Sequence, residues 1–308
     1  MRLLTIAHFL NQSVRHICAR TDFTWRYIAN LRATLQYHNL RRPLSPTFQN
    51  LLRDLRRDGI AKTSVKEFVT DAALFQELDR AVWELEETMA GEIAQLRTKI
   101  HTTGRPKNYL FNLLGSFPSL NPDDVFVRFA LQPNLVAFAN NYFGMLTKLR
   151  YYNVWHNFPT HEPPKASQLW HRDPEDRAVL KMFLYLTKVN PENGPLSYAP
   201  GTHLYGKIRN NAPSVRHKEG SVLVKRSDDN QMNTLVPESR WITATAEEGT
   251  IVLADTTGYH KGGWVREGER IVYTCMFASG ASVSPEIFRR SIPMPHYENR
   301  SVEFAISQ

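Results

Sequence analysis

His171-Arg172-Asp173, followed far downstream by His260 and then Arg270, is the group of side chains in this chain best suited to chemistry. In an extended segment residues i and i+2 share a face, so His171 and Asp173 can point together at one ion. His260, arriving from a distant strand, would add a second imidazole. Two imidazoles and one carboxylate cover one face of an octahedral ion and leave the opposite face open, the ligand set of non-haem Fe(II) centres that handle oxygen. The competing reading for each residue is an ordinary polar side chain at a strand end. A chain with eleven histidines offers such pairs by chance, so the flanking residues must decide.

Two cations belong to the same argument. Arg270 stands ten residues beyond His260 and opens the stretch Arg-Ile-Val-Tyr-Thr-Cys-Met-Phe. An arginine fork grips a carboxylate through two parallel charge-assisted hydrogen bonds, a geometry lysine cannot copy. Arg266 is the alternative, in the turn between Trp264 and Glu269 where solvation is the simpler expectation. Lys181 interrupts the apolar run Val-Leu-Lys-Met-Phe-Leu-Tyr-Leu that starts at Val179. Buried lysines are rare unless paired, so Lys181 either contacts an anionic group of a substrate or co-substrate, or snorkels to a rim.

The surroundings of these residues resemble the phytanoyl-CoA dioxygenase family of Fe(II)/2-oxoglutarate oxygenases. The matching features are the His-x-Asp pair, the turn Asn193-Gly194-Pro195-Leu196, the block Pro200-Gly201-Thr202-His203, and the late His-Lys-Gly-Gly followed by Arg270. The resemblance is strongest over residues 146–278 and weaker back to about Phe48. It implies a double-stranded β-helix (a jelly-roll, cupin-like core) with iron at the barrel mouth. The ligands would be His171, Asp173 and His260, and the co-substrates 2-oxoglutarate and O2. Arg270 would hold the distal carboxylate of 2-oxoglutarate, and His203 would be structural. Asp173 is replaced by a small residue in related halogenases; its presence here favours hydroxylation of an unactivated C–H, with release of succinate and CO2. Desaturation, epimerisation and ring formation use the same cofactors and stay open, as does a non-catalytic jelly-roll binding module.

Helices must come first and strands later for these residues to meet. Ser45-Pro46 opens a helix that Asp58-Gly59 ends, and Ile60–Val65 reads as a strand. Residues 72–99 carry apolar side chains at helical spacing. A break falls at Gly104-Arg105-Pro106. Asn134–Tyr142 is another helix, stopped by Gly144. From Leu146 onward the pattern turns to strands: Leu146–Trp155, Ser167–Trp170, Val179–Thr187, Leu196–Tyr198, Ser221–Lys225, Trp241–Thr245, Thr250–Ala254 and Arg270–Ala278. This order predicts an α+β domain with helices packed on one face of the strands. Residues 204–240 are polar and weakly patterned, which suits a substrate-selecting loop.

Composition removes other classes. The chain has 308 residues, is 42% hydrophobic, and holds only two cysteines, Cys18 and Cys275. It has no apolar run of about 18 residues, so no transmembrane segment is expected. A disulfide framework is not expected either, and a reducing, cytoplasmic setting follows. The net charge of +8 is concentrated at one end, because residues 1–66 carry twelve Lys/Arg against three acids. We therefore divide the chain into a basic, helical N-terminal extension over residues 1–44 and an oxygenase domain over residues 45–308. The extension suggests weak contact with an anionic surface; a targeting peptide or a plain surface helix would look alike. The absence of a nucleic-acid-binding motif argues against a nucleic-acid partner, and a small molecule is the expected substrate.

Overall fold

Side-chain chemistry sets the ends of the helices that back the site. In the helix Pro46–Asp58, the Ser45 hydroxyl accepts from the backbone N–H of Phe48 at 3.3 Å, and Gly59 ends the helix in the left-handed region at φ 85°. The helix Pro133–Phe143 likewise stops at Gly144, φ 67°. These coordinates are a computed structural model of the chain, describing residues 21–41, 43–69, 71–99, 107–219, 222–290 and 296–307. The amphipathic stretch over residues 1–20 (Cys18 included) and the break at Gly104–Pro106 lie outside the described residues.

Among the described residues the strands are β1 (Ile60–Ser64), β2 (Leu110–Asn112), β3 (Ser119–Leu120), β4 (Lys148–Asn157), β5 (Leu180–Tyr185), β6 (Ser197–Tyr198), β7 (Val215–Glu219), β8 (Val222–Arg226), β9 (Ile242–Thr243), β10 (Thr250–Asp255), β11 (His260–Lys261), β12 (Arg270–Ala278) and β13 (Arg289–Arg290). A six-stranded antiparallel sheet runs in the order β1-β10-β5-β12-β4-β2. A three-stranded antiparallel sheet, β11-β6-β9, packs against it.

Period-two alternation divides the large sheet into two faces. Leu180, Met182, Leu184, Ile251, Leu253, Ile271, Tyr273, Cys275 and Phe277 share one core with the helices. Phe183, Tyr185, Val252, Ala254 and Val272 face the other way and pack with Leu196 and Tyr198 of the small-sheet region. The chain is thus α+β, with helices on one face of the large sheet, as the order of its patterns predicts. Burial pushes the Cys275 thiol up and keeps it inert.

Several elements differ from the sequence reading. The long helix over residues 72–99 is two, Ala72–Thr88 and Ala90–Lys99, separated at Met89, whose backbone leaves the helical region. Ser167–Trp170 is not a strand. Ala166–Gln168 forms a 3-10 turn, closed where the Gln168 side-chain oxygen accepts from the Lys165 N–H, and Trp170 makes a single bridge to Ser227. Residues 204–240 are more ordered than a loop: β7 and β8 pair as a hairpin, and the helix Asp229–Asn233 follows. Residues 22–40, assigned to the extension on sequence, pack on the domain through Trp25, Ala33 and Tyr37, which belong to the main core.

The turn motifs act through contact between backbones. Gly194 has φ 79°, and a Cβ there would lie 2.6 Å from the Gly263 carbonyl oxygen, while a Cβ on Gly263 would lie 2.1 Å from the Gly194 carbonyl carbon. The Asn-Gly-Pro turn and the His-Lys-Gly-Gly segment are therefore locked face to face, and Asn193 bridges Val265 beside them. Gly194→Ala should destabilise the protein by about 1–3 kcal/mol, since it adds both a strained φ and a collision. An unchanged thermal midpoint would show that the turn relaxes freely.

Candidate metal centre

His171, Asp173 and His260 converge although each lies outside a long strand. His171 and His260 form an isolated antiparallel bridge, each backbone N–H donating to the other's carbonyl at 3.0 Å. Asp173 is placed by its own N–H, which donates to the Thr256 carbonyl at 2.8 Å. One potential ligand atom from each side chain falls within 4.8 Å of the others. The His171 and His260 rings lie 4.2 Å apart, and their Nε2 atoms are 3.9 and 3.8 Å from the Asp173 carboxylate.

The ring tautomers follow from the backbone. His171 Nδ1 lies 2.8 Å from the Leu169 carbonyl and His260 Nδ1 3.0 Å from the Gly258 carbonyl. A carbonyl only accepts, so both Nδ1 atoms carry the proton and both Nε2 lone pairs face the shared point. Burial lowers both imidazole pKa values, with the neighbouring His260 adding to the effect at His171. For Asp173 burial pulls upward, but the Lys181 ammonium and the two imidazoles outweigh it and hold the carboxyl below the usual carboxylate range. Two neutral imidazoles and one carboxylate are the protonation states a dication requires.

Lys181 projects from β5 on the inner face, and its Nζ lies 2.5 Å from Asp173 Oδ2. Its anionic partner in this structure is Asp173 itself. Arg270 opens β12 on the same face, opposite Asn157 of β4. Its side chain is buried, its Nε has no hydrogen-bond partner among the described residues, and its nearest charge-bearing neighbours are the Tyr185 and Tyr109 phenols. A buried guanidinium without a carboxylate is costly unless an anion joins it. Arg266 pairs with Glu192 at half-exposed positions, and His203 donates to or accepts from nothing in the cage, reaching the Arg56 carbonyl at 3.0 Å instead. Trp170 is turned away too, with Nε1 donating to Asp229 at 2.7 Å.

Three supporting groups escaped the sequence reading. Fully buried Asp255 fastens the turn before His260, accepting from Tyr142 Oη at 2.6 Å and Thr257 Oγ1 at 2.7 Å; an acid closing the apolar run Ile-Val-Leu-Ala was the available clue. His156 lies between Glu86 and Glu269, 2.7 Å from each, and Arg97 grips Glu269 with two bonds of 2.7 Å. This chain of charges holds the residue just before Arg270. Asp176 anchors the segment after Asp173, accepting from Trp25 Nε1 at 2.9 Å and from the Ser279 N–H at 2.7 Å. Trp25→Phe keeps the buried ring but deletes the first of these bonds, and it should cost about 1–3 kcal/mol in urea unfolding. A midpoint equal to wild type would mean that the backbone N–H groups of Arg177 and Ser279 suffice.

Residues 123–269 match the family described as Phytanoyl-CoA dioxygenase (PhyH). No curated protein matches the chain by sequence. Among solved structures, EctD from S. alaskensis with bound Fe is 17% identical, with a TM-score of 0.51 over 82% of this chain and 82% of that one. The alpha ketoglutarate dependent epimerase SnoN from nogalamycin biosynthesis is 17% identical, with a TM-score of 0.45, 76% of this chain and 81% of that chain being covered. The carbocyclase SnoK from the same biosynthesis is 15% identical, with a TM-score of 0.46, 77% of this chain and 84% of that chain being covered. No helix among the described residues is long and apolar enough to cross a membrane.

Proposed function

We propose, from the match of residues 123–269 to the phytanoyl-CoA dioxygenase (PhyH) family, that this chain is an Fe(II)/2-oxoglutarate-dependent oxygenase in which His171, Asp173 and His260 hold one Fe(II) and Arg270 anchors the far carboxylate of 2-oxoglutarate. The two packed sheets are, on this reading, the halves of a double-stranded β-helix. One observation carries the proposal: two tautomer-locked Nε2 atoms and an ionised carboxylate meet on the sheet face that also buries Arg270, whose Nε has no hydrogen-bond partner among the described residues.

When bound, Fe(II) with 2-oxoglutarate and O2 supplies the oxidising chemistry, releasing succinate and CO2 as a substrate C–H is oxidised. The protein's own residues supply position. The Leu169 and Gly258 carbonyls fix the imidazole rings, so ligand geometry does not depend on the metal's arrival. Lys181 holds Asp173 ionised and aimed at the imidazoles. Arg270 fixes its carboxylate by a fork, setting the depth and rotation of the co-substrate. Phe183, Tyr185, Val272 and Leu196 line the inner face with apolar surface and exclude water. With its carboxylate ligand present, the site favours hydroxylation of a small molecule.

The test is succinate release by purified protein given Fe(II), 2-oxoglutarate and air. Release that needs all three and stops with a chelator is the expected result. Absence of any iron-dependent succinate, with iron shown to be bound, would leave a binding protein on this scaffold.

A further inference from the structure

The helical segment over residues 22–40 carries an apolar row that the described residues leave uncovered. The helix Asp22–Thr24, a π turn at Trp25–Ala29 and the helix Leu31–Leu40 run in succession. Their buried row is Trp25, Asn30, Ala33, Thr34 and Tyr37. On the other side Phe23, Tyr27, Leu31 and Leu35 recur every fourth residue, with Ile28 beside them, at 66%, 44%, 45%, 54% and 60% exposure. The Phe23 and Tyr27 rings pack 5.5 Å apart. Scattered exposed apolar residues are ordinary, but five in one row, roughly 18 Å long at 1.5 Å per residue, form a surface that marks a contact.

The charges around the row select the occupant. From Phe23 to Leu44 the sequence has no acid and four arginines, Arg26, Arg32, Arg41 and Arg42. Arg32 and Arg41 are exposed. Arg56, also exposed, extends the basic field from the neighbouring helix, since Arg26 and Arg56 both reach the Tyr205 ring or hydroxyl. The single acid of residues 1–44, Asp22, is paired with Arg26 at 2.8 Å. A second copy of the chain would bring arginines against arginines. An amphipathic helix with aromatic and branched side chains on one face and exposed arginines at its flanks fits a lipid–water boundary with anionic headgroups.

We propose that the exposed face of residues 23–35 seats this protein on an anionic membrane surface. The apolar row enters the headgroup boundary and the arginines pair with lipid phosphates and carboxylates, while the buried row keeps the helix on the domain. This proposal does not depend on the metal assignment.

Co-sedimentation of the full chain with vesicles tests it. Wild type should pellet with vesicles of equimolar phosphatidylcholine and phosphatidylglycerol, far less with phosphatidylcholine alone, and less as salt rises. The triple variant Ile28→Ser/Leu31→Ser/Leu35→Ser should bind more than about tenfold more weakly, given the apolar area it removes, with unchanged melting and unchanged succinate release. Three outcomes overturn the proposal: wild type that pellets with neither vesicle, a triple variant that pellets as well as wild type, or a wild-type dimer that the triple variant alone dissociates. A triple variant with a lowered melting temperature would overturn it as well, by showing that another part of the chain already covers the row.

Discussion

His260→Ala should abolish iron-dependent succinate release while the protein keeps its fold and melting behaviour. The imidazole is neutral when buried, so its removal strands no charge, and β11 keeps its ladder to β6. What disappears is one of the three donors, leaving a carboxylate and a single imidazole. Titration with Fe(II) under anaerobic conditions, together with succinate measurement, checks the expectation. Wild-type metal affinity in His260→Ala would refute the assignment. Asp173→Ala is a less clean variant despite removing the proposed charged ligand, because the buried Lys181 ammonium loses its 2.5 Å partner. That stranded charge costs about 3–5 kcal/mol by itself, so lost activity would be confounded with lost stability.

Arg270→Leu should raise the KM for 2-oxoglutarate by roughly 30-fold to several-thousand-fold, equivalent to about 2–5 kcal/mol for a buried pair, with Fe(II) affinity little changed. Arg270→Lys should recover only part of the loss, since an ammonium cannot form the fork. In the apo protein Arg270→Leu relieves a buried cation whose Nε has no partner among the described residues, so that variant should melt no lower than wild type and can be compared at equal folding. Wild-type KM in Arg270→Leu would move the anchoring role to Lys181, which projects from the same sheet face.

The spacing of local signals made part of this molecule readable. Helix stops at Gly59 and Gly144, the strand from Arg270 to Ala278, and the His-x-Asp…His…Arg order all depend on residues close in sequence or on motifs of fixed order. The hairpin β7–β8 was harder to foresee as a pair, because Val-Arg-His-Lys-Glu has no fully buried position and so lacks the alternation of a strand with one buried face. Lys181 stood out as a cation within an apolar strand, yet nothing local told which anion it meets. Glu86, His156 and Glu269 form one unit only after three distant segments pack, so none carried a signal alone. Trp25 was similarly silent: its partner Asp176 is 151 residues away.

The uneven support of the site has a kinetic consequence. Arg270 begins β12, a strand buried along its whole length and hydrogen-bonded to β4 on one side and β5 on the other. His260 belongs to the two-residue β11, and His171 hangs from it by one bridge. Amide hydrogens in β12 should therefore exchange only on global unfolding, while those of His171, Asp173 and His260 exchange through smaller openings. The carboxylate anchor would persist through fluctuations that release the metal. Iron should then leave to a chelator faster than the protein unfolds and return without refolding, so that a population stripped of metal is still prepared to receive its co-substrate.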